Sequence, residues 1–268
     1  MNLKEKTIEL LQKHHITLNQ EYDQHFLVDE KIIEDMIKAA HITDKDSILE
    51  IGPGIGNITN VLPTAKKKIC VEIDEQFKPL LEKISDVEII FKSIQIFLRE
   101  NKYFNKIIAN IPYQVSETLM QYLCTTRNVE YAVLILPKKF ALRLEKHPIF
   151  SAFLSVTMLK EVPKEAFFPE PDANSALVVI MPTNEKDHNA LIRRELYLQR
   201  DKKLKNGLRE VLIRVYPAKQ LTKKQSTEII KKTEIEQKLL DTKIESMPLE
   251  EYTEITDKIE KAIVNLSI

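Results

Sequence analysis

The sequence predicts a Rossmann-like α/β fold, a parallel sheet with helices on both faces, followed by a small all-helical C-terminal domain. Short apolar runs rich in Ile and Val alternate with helix-like stretches through the first two thirds of the chain, the pattern of a parallel sheet. Beyond residue 183 the apolar residues recur with helical spacing alone. We therefore expect two domains, at residues 1–183 and 184–268.

The predicted strands are continuous apolar runs, as is typical of strands buried on both faces. They are SILEI (47–51), KKICVEI (67–73), VEIIF (87–91), NKIIAN (105–110) and YAVLILP (131–137). Helical patterns lie between them at 75–84 and 115–124, and two more apolar runs, at 158–168 and 175–182, are expected to complete the sheet. The helical region contains the patterns ALIRRELYLQ, KNGLREVLIRVY, TKKQSTEIIKK and LEEYTEITDKIEKAIVNL.

Composition excludes several classes of protein. Of the 268 residues, 43% are hydrophobic, and 40 basic residues balance 40 acidic ones. No apolar run is long enough to span a membrane, and the N-terminus lacks the apolar region of a secretory signal, so we expect a cytoplasmic protein. Cys70 and Cys124 lie in hydrophobic contexts, which indicates buried thiols. The six histidines lack zinc spacing, so we expect no metal, and a monomer is expected because no apolar helix face stands out.

Three of the chain's four glycines lie within five residues. Gly52, Gly54 and Gly56 directly follow the strand 47–51. Glycines in that position let the backbone turn tightly and approach a ligand closely. Glu72 ends the next strand, and a carboxylate there can accept hydrogen bonds from both hydroxyls of a ribose. A nucleoside-containing cofactor is therefore predicted.

The spacing of these glycines favours one class of cofactor. A dinucleotide fingerprint would place a third glycine at position 57, which is Asn57. The spacing G-x-G-x-G, preceded by Glu50, resembles motif I of S-adenosylmethionine-dependent methyltransferases. An NAD(P)-dependent oxidoreductase is the alternative. Asn57 argues against it, as does the lack of a plausible acid–base partner at a hydride site.

A second motif, Asn110-Ile111-Pro112-Tyr113, ends the fourth predicted strand and faces the same crevice. This pattern is typical of methylases that modify exocyclic amino groups. The N6 amine of adenine is a poor nucleophile. The Asn side-chain oxygen and a backbone carbonyl held beside proline can both accept hydrogen bonds from it and orient it for attack. The ring of Tyr113 offers a stacking surface for an extruded base.

With Gln24-His25-Phe26-Leu27 upstream and Phe168-Pro169-Glu170-Pro171 downstream, this motif resembles the ribosomal RNA adenine-N6 dimethyltransferases of the KsgA type, over almost the whole chain. The resemblance implies the methyltransferase form of the Rossmann-like fold and S-adenosyl-L-methionine as cofactor. The cofactor-binding residues that it implies are Gln24, His25, Leu27, Gly52, Gly54, Glu72, Ile73, Ser93 and Asn110. The catalytic residues that it implies are Asn110, Pro112, Tyr113 and Phe168, the last as a second aromatic beside the target adenine.

The opening LLQKHHITLNQEYDQHFLVD and the segment LQRDKKLKNGLREVL resemble the archaeal and eukaryotic small-subunit branch of this family. That branch implies dimethylation of two adjacent adenosines in the 3′-terminal hairpin loop of small-subunit rRNA, and a role in subunit biogenesis. NIPY and RLEKHPIFSAF resemble the Erm-type large-subunit enzymes instead. A non-catalytic assembly factor and a DNA adenine methylase remain as further alternatives.

Basic residues predict an RNA surface. Residues 190–232 include 13 basic residues and only four acidic ones, although the net charge of the whole chain is zero. A solvated helix face is the alternative interpretation. We expect phosphate contacts from Lys138, Lys139 and Arg143 after the strand 131–137, and from Arg200, Lys202, Lys203 and Lys205 in the helical domain.

Three positions depart from the family pattern. Ser93 stands where the family usually has an Asp that binds the cofactor adenine, Asp23 replaces a Gly, and Ala173 replaces a Val. A hydroxyl makes no charge-assisted hydrogen bond, so we expect weaker cofactor binding than in typical members.

Overall fold

The structure, a computed structural model, describes residues 1–100, 103–183 and 187–264, apart from the side chains of Gln20 and Tyr113. The chain divides into two compact units. One unit comprises Met1–Glu145 with Ser155–Pro182, and the other comprises Lys146–Leu154 with Thr183–Ile268. Residues 184–186, at the start of the predicted helical domain, lie outside the described residues.

The first unit has the predicted Rossmann-like fold. Its strands are β1 (Phe26–Leu27), β2 (Ser47–Ile51), β3 (Lys67–Glu72), β4 (Glu88–Phe91), β5 (Lys106–Asn110), β6 (Tyr131–Pro137), β7 (Leu154–Val162), β8 (Phe167–Phe168) and β9 (Ser175–Pro182). Its helices are α1 (Leu3–Lys13), α2 (Glu30–Ala40), α3 (Lys78–Leu81), α4 (Ile94–Phe97), α5 (Tyr113–Thr125) and α6 (Lys138–Leu144). The main sheet has the order β4-β3-β2-β5-β6-β9-β7. Strands β2 to β6 pair in parallel, and β9 is antiparallel to β6.

The core explains why the central strands are apolar throughout. All five residues of β2 are buried, because helices cover both faces of a parallel sheet. On one face Ile32, Ile33 and Met36 of α2 pack in a cluster with Ile48 and Ile108. The strand order reverses direction between β2 and β5, and ligands of open α/β sheets bind at that point, beyond the carboxyl ends of the strands.

The predicted apolar run at 158–168 divides between two sheets. Strand β7 ends at Val162, at the edge of the main sheet. Pro163 follows it and has no amide hydrogen to continue a ladder. A turn at Lys164–Ala166 then leads into β8, which pairs antiparallel with β1 in a separate two-stranded sheet.

The second unit is all-helical in its described elements. They are α7 (Phe150–Phe153), α8 (His188–Leu198), α9 (Leu204–Val215), α10 (Lys223–Lys231), α11 (Gln237–Leu240) and α12 (Leu249–Val264). The segment Lys146–Leu154, expected from the sequence to lie in the first domain, belongs to the helical unit. The Arg194 side chain donates to the Ala152 carbonyl, and the Phe153 ring lies edge-on to Tyr197 at 5.6 Å.

Among the described residues, no helix is both long and apolar enough to cross a membrane. The same residues contain no group of three or more His, Cys, Asp or Glu side chains that could hold a metal ion. Cys70 and Cys124 are buried thiols, as their sequence contexts predicted.

Candidate active site

A cleft of about 760 Å³ lies at the carboxyl ends of β2, β3 and β5. Motifs from distant parts of the sequence line it. Of the predicted site residues, those that line the cleft are Gln24, His25, Leu27, Gly52, Gly54, Glu72, Ile73, Asn110 and Pro112. Tyr113 begins α5 beside them, but its side chain lies outside the described part of the structure.

The three clustered glycines have different environments. All have positive φ, at +67° for Gly52, +57° for Gly54 and +88° for Gly56, where residues with a Cβ are strained. A Cβ on Gly54 would lie 2.8 Å from a ring carbon of Phe26, and one on Gly56 would lie 2.7 Å from Ile84. A Cβ on Gly52 would meet no atom within 4 Å. Gly52 therefore opens the loop to the cleft, whereas the other two are needed for packing.

Three backbone amides fix the carboxylate of Glu72. Its Oε2 accepts from the Gly54 amide at 2.9 Å, and its Oε1 accepts from Ile73 and Asp74 at 2.8 and 2.9 Å. Burial raises the pKa of Glu72 above its ordinary value, although these hydrogen bonds act to lower it. Asp74 in turn accepts a 2.7 Å bond from the Gln24 side chain. Asp74 was not among the predicted site residues, although its position two residues after Glu72 placed an acid at the same end of β3.

A hydrogen bond to the backbone orients the Asn110 amide. Its Nδ2 donates to the His25 carbonyl at 2.7 Å. The imidazole ring of His25 is held as well. Its Nδ1 lies 2.8 Å from the Pro169 carbonyl, and its Nε2 lies 3.2 Å from an oxygen of Asp23. Because the amide nitrogen is committed to His25, Oδ1 is the atom of Asn110 that is oriented to accept a hydrogen bond from a ligand.

Two predicted site residues do not line the cleft. Ser93 donates its hydroxyl to Oε1 of Gln95 at 2.6 Å, and the lining residue is Gln95, which sequence analysis missed. Phe168 pairs across the two-stranded sheet with Phe26 and packs against an apolar cluster, whereas its neighbour Phe167 contributes to the lining. Both differences depend on side-chain directions that motif spacing does not specify.

Two residues that stand where a glycine was considered, Asn57 and Asp23, have defined contacts in the structure. Asn57 donates from Nδ2 to the Leu27 carbonyl at 2.9 Å and to the Thr7 hydroxyl at 3.1 Å, so it ties the glycine loop to β1 and α1. Asp23 has φ of +49°, a left-handed conformation that favours glycine and that Asp tolerates better than most residues. Its carboxylate lies 3.2 Å from Nε2 of His25.

The predicted RNA-binding residues of the first unit line a second cavity, of about 530 Å³. Lys138, Lys139 and Arg143 contribute to it, and Pro137 and Ala173 line both this cavity and the cleft. Lys138 is paired with Glu161 at 2.5 Å. The pair is partly exposed to solvent, so the lysine can exchange its partner at little cost.

The four predicted RNA-binding residues of the helical unit differ in their partners. Lys202 is paired with Glu210 at 2.9 Å and Lys205 with Asp241 at 2.6 Å. The Arg200 guanidinium lies 4.8 Å from the centre of the Tyr197 ring. Lys203 is exposed, and no ion pair to it is found among the described residues.

The fold and the cleft together define the class of protein as a methyltransferase of the kind that modifies amino groups. The features that define it are the Rossmann-like sheet, the glycine loop opening at Gly52, the buried carboxylate of Glu72 and the oriented Asn110 amide. The family is narrower than the class. The sequence model of the ribosomal RNA adenine dimethylase family matches residues 15–249 of this chain, and the chain belongs to that family.

Known proteins resemble the chain over most of its length. A probable ribosomal RNA small subunit methyltransferase A of Pyrococcus abyssi is 31% identical, over 78% of this chain and 82% of its own. A dimethyladenosine transferase structure from Plasmodium falciparum has a TM-score of 0.56 and 24% identity, covering 89% of this chain and 98% of that one. The 23S rRNA methyltransferase ErmE has the same TM-score at 18% identity, covering 88% and 99%. At these identities the two structures show a shared fold and do not distinguish the RNA substrate.

Proposed function

We propose that this chain transfers methyl groups from S-adenosylmethionine to N6 of two adjacent adenosines near the 3′ end of small-subunit rRNA, with the pre-small ribosomal subunit as its partner. The observation that carries the proposal is the Asn110 amide, whose nitrogen donates to the His25 carbonyl and whose oxygen is thereby oriented as an acceptor. The name of the Pyrococcus relative supports the small subunit over the large one.

The residues of the cleft fit the proposed cofactor. Gly52 provides a place where the backbone can approach a ligand, because a Cβ there would meet open space. The preorganised Glu72 carboxylate suits ribose hydroxyls, and Ile73, which is 48% exposed, offers an apolar surface beside it. We assign Gln24, His25 and Leu27 to the methionine end, because all three line the cleft and the His25 carbonyl accepts a hydrogen bond from the Asn110 amide. The cavity also lies within the usual size range of ligand sites.

The chain's own groups orient the amine. S-adenosylmethionine, when bound, supplies an electrophilic methyl group. Asn110 Oδ1 accepts one N6 hydrogen of the adenine, and the backbone carbonyl beside Pro112 accepts the other, which localises the nitrogen lone pair for attack. Preorganised hydrogen-bonding groups at a reacting centre can contribute about 100-fold to 1,000-fold in rate, the magnitude found for oxyanion-hole donors. Tyr113 and Phe168 are proposed to stack on the adenine. Since Phe168 lies outside the cleft lining, its ring would have to turn toward the base.

The RNA strand is proposed to continue from the cleft into the second cavity. Pro137 and Ala173 border both, so a nucleotide next to the target adenine can reach Lys139 and Arg143. We assign the first unit, Met1–Glu145 with Ser155–Pro182, to catalysis and the helical unit to RNA binding, with phosphate contacts from Arg200, Lys202, Lys203 and Lys205. We further propose a role in ribosome biogenesis and a cytoplasmic location.

The test is methylation of under-methylated small subunits with methyl-labelled S-adenosylmethionine, with Asn110→Ala as the matched variant. We expect label at N6 of adenines near the 3′ end of small-subunit rRNA and loss of that label in the variant. Label on large-subunit rRNA alone would instead support the Erm-type reaction. Binding to subunits without label on either RNA would support a non-catalytic assembly factor.

A further inference from the structure

The segment after β4 extends the cleft beyond Glu72. Phe91 stands opposite Glu72 in the register of β3 and β4, and the Lys92 amide donates to the Glu72 carbonyl at 2.8 Å. Because the strands lie in the order β4-β3-β2-β5, the cleft edge presents the segment after β4, then Glu72, then the glycine loop, then Asn110. A nucleoside with its ribose at Glu72 and its reactive end at Asn110 must therefore direct its base toward the segment after β4.

Gln95 supplies the uncharged polar side chain in this segment. Lys92, Ile94 and Gln95 line the cleft there. The ammonium of Lys92 is paired with Glu100 at 2.5 Å, and Ile94 is buried and apolar. Ser93 does not line the cleft, but its hydroxyl donates to Oε1 of Gln95 at 2.6 Å and so fixes the direction of the carboxamide.

We propose that Gln95 recognises the adenine ring of the cofactor, an inference that rests on the proposed function. A carboxamide presents an acceptor and a donor side by side, and the edge of adenine presents an N6 hydrogen and the N1 acceptor in the complementary order. The bond from Ser93 leaves Oε1 a second lone pair for the N6 hydrogen and leaves Nε2 as donor to N1. Hypoxanthine reverses both groups and is disfavoured in this orientation.

Calorimetry with two ligands tests the assignment: S-adenosylhomocysteine, and its deaminated counterpart S-inosylhomocysteine. The wild type is expected to prefer the adenine ligand. Gln95→Leu keeps the side-chain volume but removes both polar atoms, so the affinity for S-adenosylhomocysteine should fall about tenfold. The affinity for the deaminated ligand should change little, so that the preference disappears. Gln121→Leu, on the exposed face of α5, is the matched control and should bind as the wild type does.

A second variant guards against misfolding. Gln95→Glu keeps the acceptor for the N6 hydrogen but replaces the donor to N1 with a second acceptor. That acceptor repels N1 of adenine and can accept the N1 hydrogen of hypoxanthine, so the preference for the adenine ligand should shrink. The assignment is overturned if all variants show the wild-type preference, or if Gln95→Leu weakens both ligands by the same factor. Failure of the wild type to bind either ligand would overturn the proposed cofactor, and this inference with it. If the wild type binds and Gln95→Leu has the same affinities as the wild type, this inference alone is overturned.

Discussion

At the scale of single residues, the polarity of the Asn110 amide is the feature on which catalysis depends. The Asn110 nitrogen donates to the His25 carbonyl at 2.7 Å. Asn110→Asp keeps the shape but places a carboxylate oxygen against that carbonyl, and the repulsion turns the side chain away. We expect methyl transfer at saturating cofactor to fall about 100-fold, measured by single-turnover transfer to rRNA. Asn128→Asp, an exposed position outside the cleft, is the control. An unchanged rate for Asn110→Asp would contradict the assigned role.

Glu50 is a buried carboxyl directly beneath the glycine loop. The Cys70 thiol donates to its Oε2 at 3.3 Å, and no hydrogen bond to its Oε1 is found among the described residues. Burial raises the pKa of Glu50 to about 7. The folded protein therefore resists the ionisation of Glu50 that the unfolded chain undergoes near its ordinary pKa.

The consequence for stability has a definite sign. Because the pKa of Glu50 is raised on folding, the contribution of Glu50 to the free energy of unfolding falls by roughly 3 kcal/mol as pH rises from about 4.5 to 7, and stays low above that range. Glu50→Gln removes this dependence, so its stability relative to the wild type should grow with pH. Urea unfolding between pH 4.5 and 8 measures it, with Glu75→Gln at the surface as control. A difference that does not vary with pH would show that Glu50 ionises normally.

Residue types in the cleft were predictable from the sequence, but their orientations were not. Gly52, Glu72 and Asn110 were found because they end or follow apolar strands, and the ends of parallel strands meet at one edge. The acceptor orientation of Asn110 depends on a carbonyl 85 residues away. That Gln95 lines the cleft and Ser93 does not likewise depends on how the first turn of α4 directs the side chains at these two positions.

At the scale of secondary-structure elements, strand length decided what could be predicted. Strand β2 coincides with the predicted run at 47–51, and β6 with that at 131–137, because strands buried on both faces are continuously apolar. Strands β1 and β8 have two residues each, which is too short for any periodicity. They exist because segments far apart in sequence pair, and that pairing brings His25 and Pro169 together beside Asn110.

In the loop after β2, Gly52 and Gly54 belong to one motif but have different roles. Both Gly52 and Gly54 have positive φ, so alanine at either position adds backbone strain of about 1 kcal/mol. At Gly54 the added Cβ also meets the Phe26 ring at 2.8 Å, which costs roughly 1–3 kcal/mol more. At Gly52 the Cβ projects into open space, where the cofactor is proposed to lie.

Gly52→Ala and Gly54→Ala should therefore separate stability from binding. Gly54→Ala is expected to lower the free energy of unfolding more than Gly52→Ala does, by denaturant titration. Gly52→Ala is expected to reduce the affinity for S-adenosylhomocysteine about tenfold or more by calorimetry, because the methyl group occupies the ligand's place. Wild-type affinity in Gly52→Ala would exclude a close approach of the ligand to this backbone.

At the scale of the whole molecule, charge is balanced overall and unevenly distributed. The chain has 40 basic and 40 acidic residues, yet the segment 190–232 is strongly basic. A net charge of zero argues weakly against a nucleic-acid partner, whereas the local excess of basic residues argues for one. The sequence could not show which of these cations are paired. In the structure Lys202 and Lys205 have carboxylate partners, and Lys203 is exposed without an ion pair among the described residues.

The pairing predicts opposite effects from two substitutions in the helical unit. Lys203→Gln removes an exposed cation, so rRNA binding should weaken about twofold to fivefold and the salt dependence should decrease by about one phosphate contact. Asp241→Asn removes the anion that lies 2.6 Å from Lys205, so that cation becomes available and binding should tighten by a similar factor. Filter binding at several salt concentrations measures both, with Lys83→Gln at an exposed site of the first unit as control. If neither substitution alters affinity or salt dependence, the basic segment is a solvated surface and the RNA is bound by the first unit.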